Sequence, residues 1–551
     1  ARIDNREELI EKTGVNSDSN ISDSQLILEC FKIYSKRCVD HLVGAFAFVI
    51  WDEQKKELFC VRDHIGFKPF YYHLNNEFFI FGSETRHIAN LPEVDSTKNE
   101  QYIADALTML ISENNQTFFK AIKKLPPAHY LLVKPESYEI RRYWDLDPNK
   151  EIRYATEQEY IDHFKKLMDE AVKCRLRSEY PVGAELSGGL DSSAVTGFAS
   201  QFGEINTFSH TLPDWALDKH YPYEDERRFI QQVKRHCNIK NTYEVTGEEE
   251  GILKSLKRGL SINHGIVQNN LNLISDALYK KAQITGTRTL LSGFGGDELV
   301  SNKGGGVFKE LAYNHRYLKL LKEATSKRPF LSSAKQLTTN ITAANVYRLK
   351  KLFGLHSEYR TPVWAHDIFK VLFLDEMFFN QMKIKERFYS RKTMPNDPFV
   401  RMRQYRRFHY SYFPGRLEDC SASAQAQQIE YRYPLLDKRL LEFYLALPVE
   451  MKRKYGWGRY ILRRSMEGLL PPEIQWRNDK VGTTIPNVFV RVKQDYEQIK
   501  SLLQRARNKQ IYHYIDYDKA LKMLDKVAFR SKNTKGRTIT NTLISAVMLL
   551  L

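Results

Sequence analysis

Between residues 182 and 291 the sequence alternates short apolar strands with helical segments, and this alternation constrains the fold more than any other feature. We predict strands at 182–186, 205–209, 243–245 and 288–291, and helices at 192–201, 225–236 and 272–281. A helix between two strands returns the chain to the same end of the sheet, so such strands pair in parallel. The pattern predicts an α/β protein with helices on both faces of a parallel sheet.

The chain before this stretch has a mixed α and β pattern. Residues 41–50 and 58–61 are predicted as buried strands joined by a polar turn, and 130–133 and 139–143 as a later pair. The charged stretch 145–153 separates the two patterns. We therefore expect one domain at 1–146 and a second at 154–551, with the later part of the second mostly helical.

Composition excludes several classes of protein. Hydrophobic residues make up 42% of the 551 positions, which excludes a wholly disordered chain. No run approaches about 18 apolar residues, so no membrane span is predicted. The six cysteines form no CxxC pair and no zinc spacing. We expect a protein of the reducing cytoplasm.

Positive charge is concentrated in one segment. The chain carries a net charge of +17, and residues 301–420 alone hold 23 Lys and Arg against 10 Asp and Glu. In its most basic part, 401–410, aromatic residues alternate with arginines. This pattern is typical of a solvated helix face. The alternative is a docking surface for an acidic peptide or a nucleic acid. No nucleic-acid-binding motif accompanies the segment, so we expect no nucleic-acid partner.

The first strand of the alternating region leads into SGGLDSS (187–193), which also opens a predicted helix. Two glycines allow a tight turn whose backbone N–H groups approach a ligand closely. The helix N-terminus adds partial positive charge, so the loop suits phosphate or pyrophosphate. It lacks the GK[ST] ending of a Walker loop.

A second glycine-rich loop, SGFGGDE (292–298), follows the last of the four predicted strands. The carboxyl ends of parallel strands share one edge of the sheet, so both loops should face the same crevice. Asp191 and Asp297 are then expected to lie close together. Paired carboxylates beside a polyphosphate are suitable ligands for Mg²⁺.

These loops resemble those of the asparagine synthetase family of ATP-pyrophosphatase amide ligases. EYRYPLLD (430–437) and RNDKVG (477–482) are similar to two further motifs of that family. Upstream, GAFAFVIWD (44–52), RDHIGFKPFYY (62–72) and GSE (82–84) resemble the class II glutamine amidotransferase domain. The resemblance implies an N-terminal α+β, Ntn-type sandwich, truncated at its start. A Rossmann-like ATP-pyrophosphatase domain with a large helical part would follow it.

The resemblance also implies site residues. Those expected to hold pyrophosphate are Ser187, Gly188, Gly189, Asp191 and Ser192. Those expected to line the adenosine pocket are Leu186, Ser292 and Gly293. Asp191 and Asp297 would bind Mg²⁺, and Lys480 would meet charge that develops during the reaction. The implied cofactors are ATP and Mg²⁺.

Several positions depart from the family pattern. Phe294 stands where asparagine-forming members have a glutamate, and a phenyl ring cannot accept a proton. Ala1 and Arg2 stand at the Gly and Glu positions of an N-G-E motif that handles glutamine, although Asp23 still matches a glutamine-binding aspartate. We therefore expect a degraded glutaminase. The chain begins without Met, so we expect residues ahead of Ala1, including any N-terminal cysteine nucleophile.

The leading functional hypothesis is an asparagine-synthetase-type amide ligase, which adenylates the side chain of aspartate and releases AMP and pyrophosphate. The amine would come from glutamine or ammonia. The alternative is a lasso-peptide cyclase or other macrolactam synthetase. The chain resembles that type of the family in ARIDNREEL (1–9), Phe294 and the basic segment. The substrate would then be a peptide carboxylate. A third hypothesis is a non-catalytic anion-binding protein. A homodimer is one candidate assembly.

Overall fold

The protein is described by a computed structural model. It describes residues 1–16, 20–108, 115–217, 225–263, 265–267, 275–327, 330–355, 369, 372–390, 397–409, 412–479, 485–509, 512–529 and 536–551.

In chain order the described strands β1 to β16 are Arg2–Ile3, Gly44–Ala45, Ala47–Asp52, Glu57–Arg62, Tyr71–Leu74, Phe79–Gly82, Lys123–Lys124, His129–Lys134, Ser137–Arg142, Val182–Glu185, Asn206–His210, Thr242–Val245, Thr289–Leu291, Glu430–Arg432, Arg453–Lys454 and Trp457–Gly458.

The α-helices of the first 300 residues are Arg6–Thr13, Asp23–Tyr34, Thr85–Ala89, Glu100–Thr108, Glu157–Lys173, Leu190–Ser200, Arg227–His236, Ile252–Asn263 and Asp276–Ile284. The later α-helices are Val307–Tyr313, Tyr317–Thr325, Phe330–Leu352, Glu376–Gln381, Ile384–Ser390, Val400–Phe408, Tyr412–Gln425, Lys438–Ala446, Val449–Lys452, Tyr460–Ser465, Pro472–Gln475, Val488–Gln494, Tyr496–Asn508, Tyr517–Ala528 and Gly536–Leu550.

A five-stranded parallel sheet forms the centre of the second part of the chain. Its strand order is β12-β11-β10-β13-β14, and every neighbouring pair is parallel. The predicted α/β architecture is therefore confirmed. The fifth strand, β14, was not predicted, because it has only three residues and lies far downstream of the alternating region.

The helix Leu190–Ser200 packs against β10, and the helix Glu157–Lys173 packs against that helix. Thr156 caps the helix Glu157–Lys173, and Glu159 completes a capping box that satisfies its first N–H groups. Its buried residues recur three or four positions apart, which turns one apolar stripe towards the core. The helix Leu190–Ser200 is buried over nearly its whole length.

The first part of the chain contains antiparallel sheets. Four strands pair in the order β3-β4-β8-β9, three in the order β6-β5-β7, and β1 pairs with β2. The strands predicted at 58–61 and 130–133 lie within β4 and β8, and the one predicted at 139–143 overlaps β9 but ends one residue later. The single strand predicted at 41–50 is instead two strands, β2 and β3, interrupted at Phe46. The domain boundary at 147–153 stays a prediction.

The largest apolar core contains residues from both parts of the chain. Ala45, Ile65 and Phe67 belong to the same buried cluster as Leu435 and Leu436. No described helix is both long and apolar enough to cross a membrane.

A buried group of three charges joins the two parts near this core. The Glu418 carboxylate accepts from Arg62, at 2.7 Å, and from Lys124, at 2.6 Å. Glu418 lies on the helix Tyr412–Gln425, whereas Arg62 and Lys124 belong to the antiparallel sheets. Burial opposes ionisation, but the two cations lower the pKa of Glu418 below its usual value. This contact fixes the helix Tyr412–Gln425 against the first part of the chain.

Candidate active site

The SGGLDSS loop lies directly after β10, the middle strand of the parallel sheet. Gly189 caps the helix Leu190–Ser200, so the loop faces the exposed N–H groups of that helix. Gly188 has a positive φ of 70°, and a Cβ there would lie 2.9 Å from Phe229 Cβ. Only glycine suits that position. The Ser187 N–H donates to Ser192 Oγ at 3.1 Å, which fixes the turn.

The second loop follows β13, the neighbouring strand, and contacts the first loop. A Cβ at Gly293 would lie 2.5 Å from the backbone nitrogen of Ser192, so the two backbones meet with no room for a side chain. Asp297 lies on a short π-helical turn, Gly296–Val300. The predicted proximity of the two loops is therefore present in the structure.

Asp191 and Asp297 lie on either side of one guanidinium group. Arg459 Nη1 is 3.6 Å from Asp191 Oδ2, and the other terminal nitrogen forms an ion pair with Asp297. Burial, opposed by Arg459 and assisted by the negative charge of Asp297, raises the pKa of Asp191 to about 6. The structure thus brings together the two predicted carboxylates and adds an arginine that the sequence analysis did not identify.

The carboxylate pair fits a divalent cation. Asp191 Oδ1 is buried and has no hydrogen-bond partner among the described residues. Such an oxygen is costly to bury unless a ligand meets it. Both residues offer the hard oxygen ligands that Mg²⁺ prefers. Their role as metal ligands stays a prediction.

A cavity of about 640 Å³ opens at this edge of the sheet. This volume is in the range of small-molecule sites. Of the residues predicted to bind ATP or pyrophosphate, those that line it are Leu186, Ser187, Gly189, Asp191, Ser192, Ser292 and Gly293. The predicted basic segment contributes part of the wall, including Lys303, Lys327 and Arg416. The sequence therefore identified most of one side of the cavity.

Lys480 lies outside the described residues. The positions just before it, Asn478 and Asp479, and Ile485 after it, line the cavity. Arg477 connects this segment to the first loop, since it donates to the Gly188 carbonyl at 3.0 Å and to Glu226 at 2.5 Å. The described residues of the RNDKVG motif, 477–479, therefore lie in the wall of the cavity.

The wall beside the second loop carries two further charged side chains. Glu185 ends β10, and Ser292 Oγ donates to its Oε2 at 3.3 Å. The guanidinium of Arg416 lies over the ring of Phe294, 3.6 Å from its centre. Burial raises the pKa of Glu185, although a hydrogen bond from Tyr431 and the charge of Arg416 act against this. Phe294 is thus part of an aromatic and cationic wall.

The predicted glutamine-handling residues are engaged in ion pairs and hydrogen bonds. Asp23 accepts from the Ile3 N–H at 2.9 Å and from Arg177 at 2.6 Å, and it also pairs with Arg6. Arg2 is 6% exposed and pairs with Asp4 and Glu430. These contacts join the start of the chain to the parallel-sheet part. A glutamine-binding role for Asp23 stays a prediction.

Three charged residues of the cavity were not predicted from the sequence: Glu185, Arg416 and Arg459. Glu185 stands two residues before Ser187, where the glycine-rich loop begins, so its place at a strand end was an available signal. Arg416 lies on the helix Tyr412–Gln425, and Arg459 immediately precedes the helix Tyr460–Ser465. Both are far along the chain, and no spacing relates them to either loop. Only the fold brings them there.

Comparison with known proteins identifies two family models. An asparagine synthase model matches residues 163–550, and a glutamine amidotransferase domain model matches residues 3–144. The first covers well over half of the chain.

Individual relatives agree with these matches. Asparagine synthetase [glutamine-hydrolyzing] 3 of Bacillus subtilis is 25% identical over 473 residues, which are 83% of this chain and 70% of that protein. Asparagine synthetase [glutamine-hydrolyzing] 1 of Bacillus subtilis is 24% identical over 97% of this chain and 81% of that protein. A putative asparagine synthetase [glutamine-hydrolyzing] 2 of Methanocaldococcus jannaschii is 36% identical over 211 residues, 37% of this chain and 40% of that protein.

Three observations indicate the same family: the sequence motifs, the parallel sheet with its two glycine-rich loops, and the family-model match over residues 163–550. The chain belongs to the asparagine synthase family, and is thus a carbon–nitrogen ligase of the asparagine synthetase type.

Proposed function

We propose that this protein adenylates the side-chain carboxylate of aspartate with ATP and transfers an amine to it, releasing AMP and pyrophosphate. The observation that carries the proposal is the meeting of Asp191 and Asp297 at the mouth of the cavity, beside the SGGLDSS loop. That arrangement combines phosphate-binding N–H groups with two metal-binding carboxylates. The relatives named asparagine synthetase support the choice of aspartate.

Each predicted residue has a defined task under this proposal. The loop from Ser187 to Ser192 holds pyrophosphate through backbone N–H groups, and Leu186, Ser292 and Gly293 border the adenosine. Asp191 and Asp297 hold Mg²⁺. The metal ion, when bound, neutralises phosphate charge. Lys480 meets the charge that develops on the phosphate or the tetrahedral centre.

Arg459 adds a cation between the two carboxylates. Without a metal ion its guanidinium neutralises Asp191 and Asp297, which would otherwise repel each other. With a metal ion held by the two carboxylates, the Arg459 guanidinium would be available to stabilise the charge of the leaving pyrophosphate.

The test is the identity of the products formed from ATP. Purified protein is incubated with ATP, Mg²⁺ and aspartate, with either ammonia or glutamine as amine donor. We expect AMP, pyrophosphate and asparagine, with Asp297→Asn as the inactive control. Release of ADP and phosphate, or the absence of aspartate-dependent pyrophosphate, contradicts the proposal.

The same experiment tests the glutaminase. We infer glutamine as the amine donor from the amidotransferase domain match, but the departures at Ala1 and Arg2 predict weak glutamine hydrolysis. Asparagine formed from ammonia but not from glutamine supports the degraded glutaminase. Brisk, ATP-stimulated glutamate release contradicts it.

One observation favours a second candidate, a cyclase that joins the amine and carboxylate of one peptide. Lys303, Lys327 and Arg453 line the cavity and extend its positive charge outwards. Burial and the nearby arginines lower the pKa of Lys327 to about 8. A positive entrance of this kind suits an acidic peptide. Pyrophosphate release that needs a peptide and not aspartate would select this candidate.

A further inference from the structure

One end of a helical unit in the basic segment exposes several large apolar side chains. The unit contains the helices Tyr317–Thr325 and Phe330–Leu352 and the three residues that follow the second helix. The exposed residues are Leu318, Leu349, Leu352, Phe353 and Leu355, with exposed fractions between 56% and 86%. Single exposed leucines are ordinary on a protein surface, but a group of them marks an interaction site. These five residues are named the apolar patch below.

Hydrogen bonds between the helices show that the residues share one end of the unit. Ser333 Oγ donates to the Ala324 carbonyl at 2.8 Å, so the end of the first helix meets the start of the second. Arg348 donates to the Ala312 carbonyl at 2.9 Å, and Ala312 lies five positions before the first helix begins. The helices therefore run in opposite directions, and the first turn of one lies beside the last turns of the other.

The inward faces of the same helices already have packing partners. Leu320 and Ala344 belong to one buried cluster with Leu311. Tyr347 packs edge-on against Tyr313, with the ring centres 5.8 Å apart. An amphipathic helix needs only one such face to fold against its protein. The apolar patch is therefore a second apolar surface, turned away from the protein.

Positive charge surrounds the apolar patch. Lys350 and Lys351 are exposed beside it. The sequence between Glu323 and Glu358 contains six Lys or Arg and no acidic residue. A second copy of the chain would bring two positive surfaces together, which is unfavourable. The occupant must therefore carry negative charge and also accept apolar side chains.

An anionic lipid surface has both properties. Its headgroups attract lysines, and the boundary of its acyl chains accepts Leu and Phe side chains. An acidic peptide would need a groove, whereas side chains that are more than half exposed protrude instead of lining one. We propose that the apolar patch, together with Lys350 and Lys351, docks this protein onto an anionic lipid surface.

The docking surface lies apart from the candidate active site. Gln336 lines the cavity, whereas Leu352 lies 16 positions further along the same helix. At about 1.5 Å per residue, the two positions are about 24 Å apart. Substitutions in the apolar patch should therefore leave pyrophosphate release in solution unchanged.

Co-sedimentation with lipid vesicles tests the proposal. The full chain is mixed with vesicles of phosphatidylcholine alone, or of phosphatidylcholine with phosphatidylglycerol. We expect binding only to the anionic vesicles, and weaker binding when added salt screens the attraction. Lys350→Gln combined with Lys351→Gln should weaken binding about tenfold or more, because each lysine at the surface contributes. Leu352→Gln combined with Phe353→Gln should weaken it by at least about tenfold, because apolar area is no longer buried in the lipid.

The helix Asp276–Ile284 offers matched controls on another surface. Lys280→Gln combined with Lys281→Gln removes an adjacent pair of exposed lysines, and Ile284→Gln removes an apolar side chain that is 71% exposed. These variants should bind vesicles like the unaltered protein, and thermal unfolding checks the fold of every variant. In addition, brominated lipid should quench the fluorescence of the tryptophan added in Phe353→Trp but not of that added in Ile284→Trp.

The opposing outcomes are specific. No binding to anionic vesicles overturns the proposal. Binding that survives the changes at Leu352 and Phe353 also overturns it, because the net charge of +17 alone would then explain the attraction. The same holds if vesicles do not bind and these changes instead dissociate a dimer or abolish binding to polyglutamate. No step of the assay uses ATP or aspartate, so its result is independent of the proposed function.

Discussion

Substitution of Gly293 by alanine should separate the two glycine-rich loops. The added Cβ would lie 2.5 Å from Ser192 N, 2.7 Å from Ser192 Cα and 2.8 Å from the carbonyl carbon of Asp191. All three are backbone atoms of the first loop, so no side-chain rotation relieves the contact. An ordinary contact needs about 3.5 Å, and the loops must therefore move apart by roughly 1 Å.

A displacement of this size has a predictable effect on rate. Misplacement of a reacting group by about 1 Å costs on the order of a hundredfold, or about 2.7 kcal/mol in the barrier. The same overpacking should lower the free energy of unfolding by about 1–3 kcal/mol. Gly293→Ala is therefore expected to fold but to release pyrophosphate about a hundredfold more slowly.

The assay is ATP- and aspartate-dependent pyrophosphate release, measured well below the melting temperature of the variant. Gly305→Ala is the control, because a Cβ at Gly305 meets no atom within 4 Å and the residue lies in the neighbouring loop. If Gly293→Ala retained activity within about twofold of Gly305→Ala, the close approach of the two loops would have no part in catalysis.

Three further predictions concern single charges. The pKa of Asp191 is raised to about 6 in the folded protein. Between about pH 4 and pH 6 the folded protein therefore keeps a proton that the unfolded chain has lost, and the free energy of unfolding falls as the pH rises through this range. Asp191→Asn should therefore raise the melting temperature of the metal-free protein at about pH 7 while it abolishes pyrophosphate release; an unchanged melting temperature contradicts this. Glu418→Gln leaves the fully buried Arg62 without its carboxylate partner, so it should lower the free energy of unfolding, measured in urea, by about 3–5 kcal/mol. A decrease below about 1 kcal/mol would argue against the buried pair. Lys480→Ala should lower kcat and leave ATP affinity nearly unchanged, and full turnover by this variant would refute its proposed role.

The sequence predicted those parts of the fold whose signal is local. Each strand and helix from 182 to 291 has its own apolar pattern, and the glycine-rich loops follow from strand ends in a parallel sheet. The strand β14 has three residues and forms only because β13 offers an edge for pairing. No local pattern can reveal such a strand.

The candidate site divides in the same way. Asp191 and Asp297 were predictable because each lies in a loop after a strand of one sheet. Arg459 is separated from Asp297 by 162 positions and meets both carboxylates only in the folded chain. Glu185 could not be identified from its local sequence, because its contact with Ser292 forms only through the pairing of β10 with β13.

The buried contact of Arg62 and Lys124 with Glu418 has a consequence for how the protein unfolds. If the two parts began to separate, the buried charges of Arg62, Lys124 and Glu418 would lose their partners before water reached them, which costs free energy. Partial unfolding is therefore suppressed at this junction, and the antiparallel sheets should melt together with the helix Tyr412–Gln425 as one cooperative unit. In hydrogen-exchange experiments, the backbone amides of that helix and of Glu57–Arg62 should exchange only through global unfolding, with the same opening free energy. The amidotransferase-like part is thereby also the support that holds the helix bearing Arg416 at the cavity.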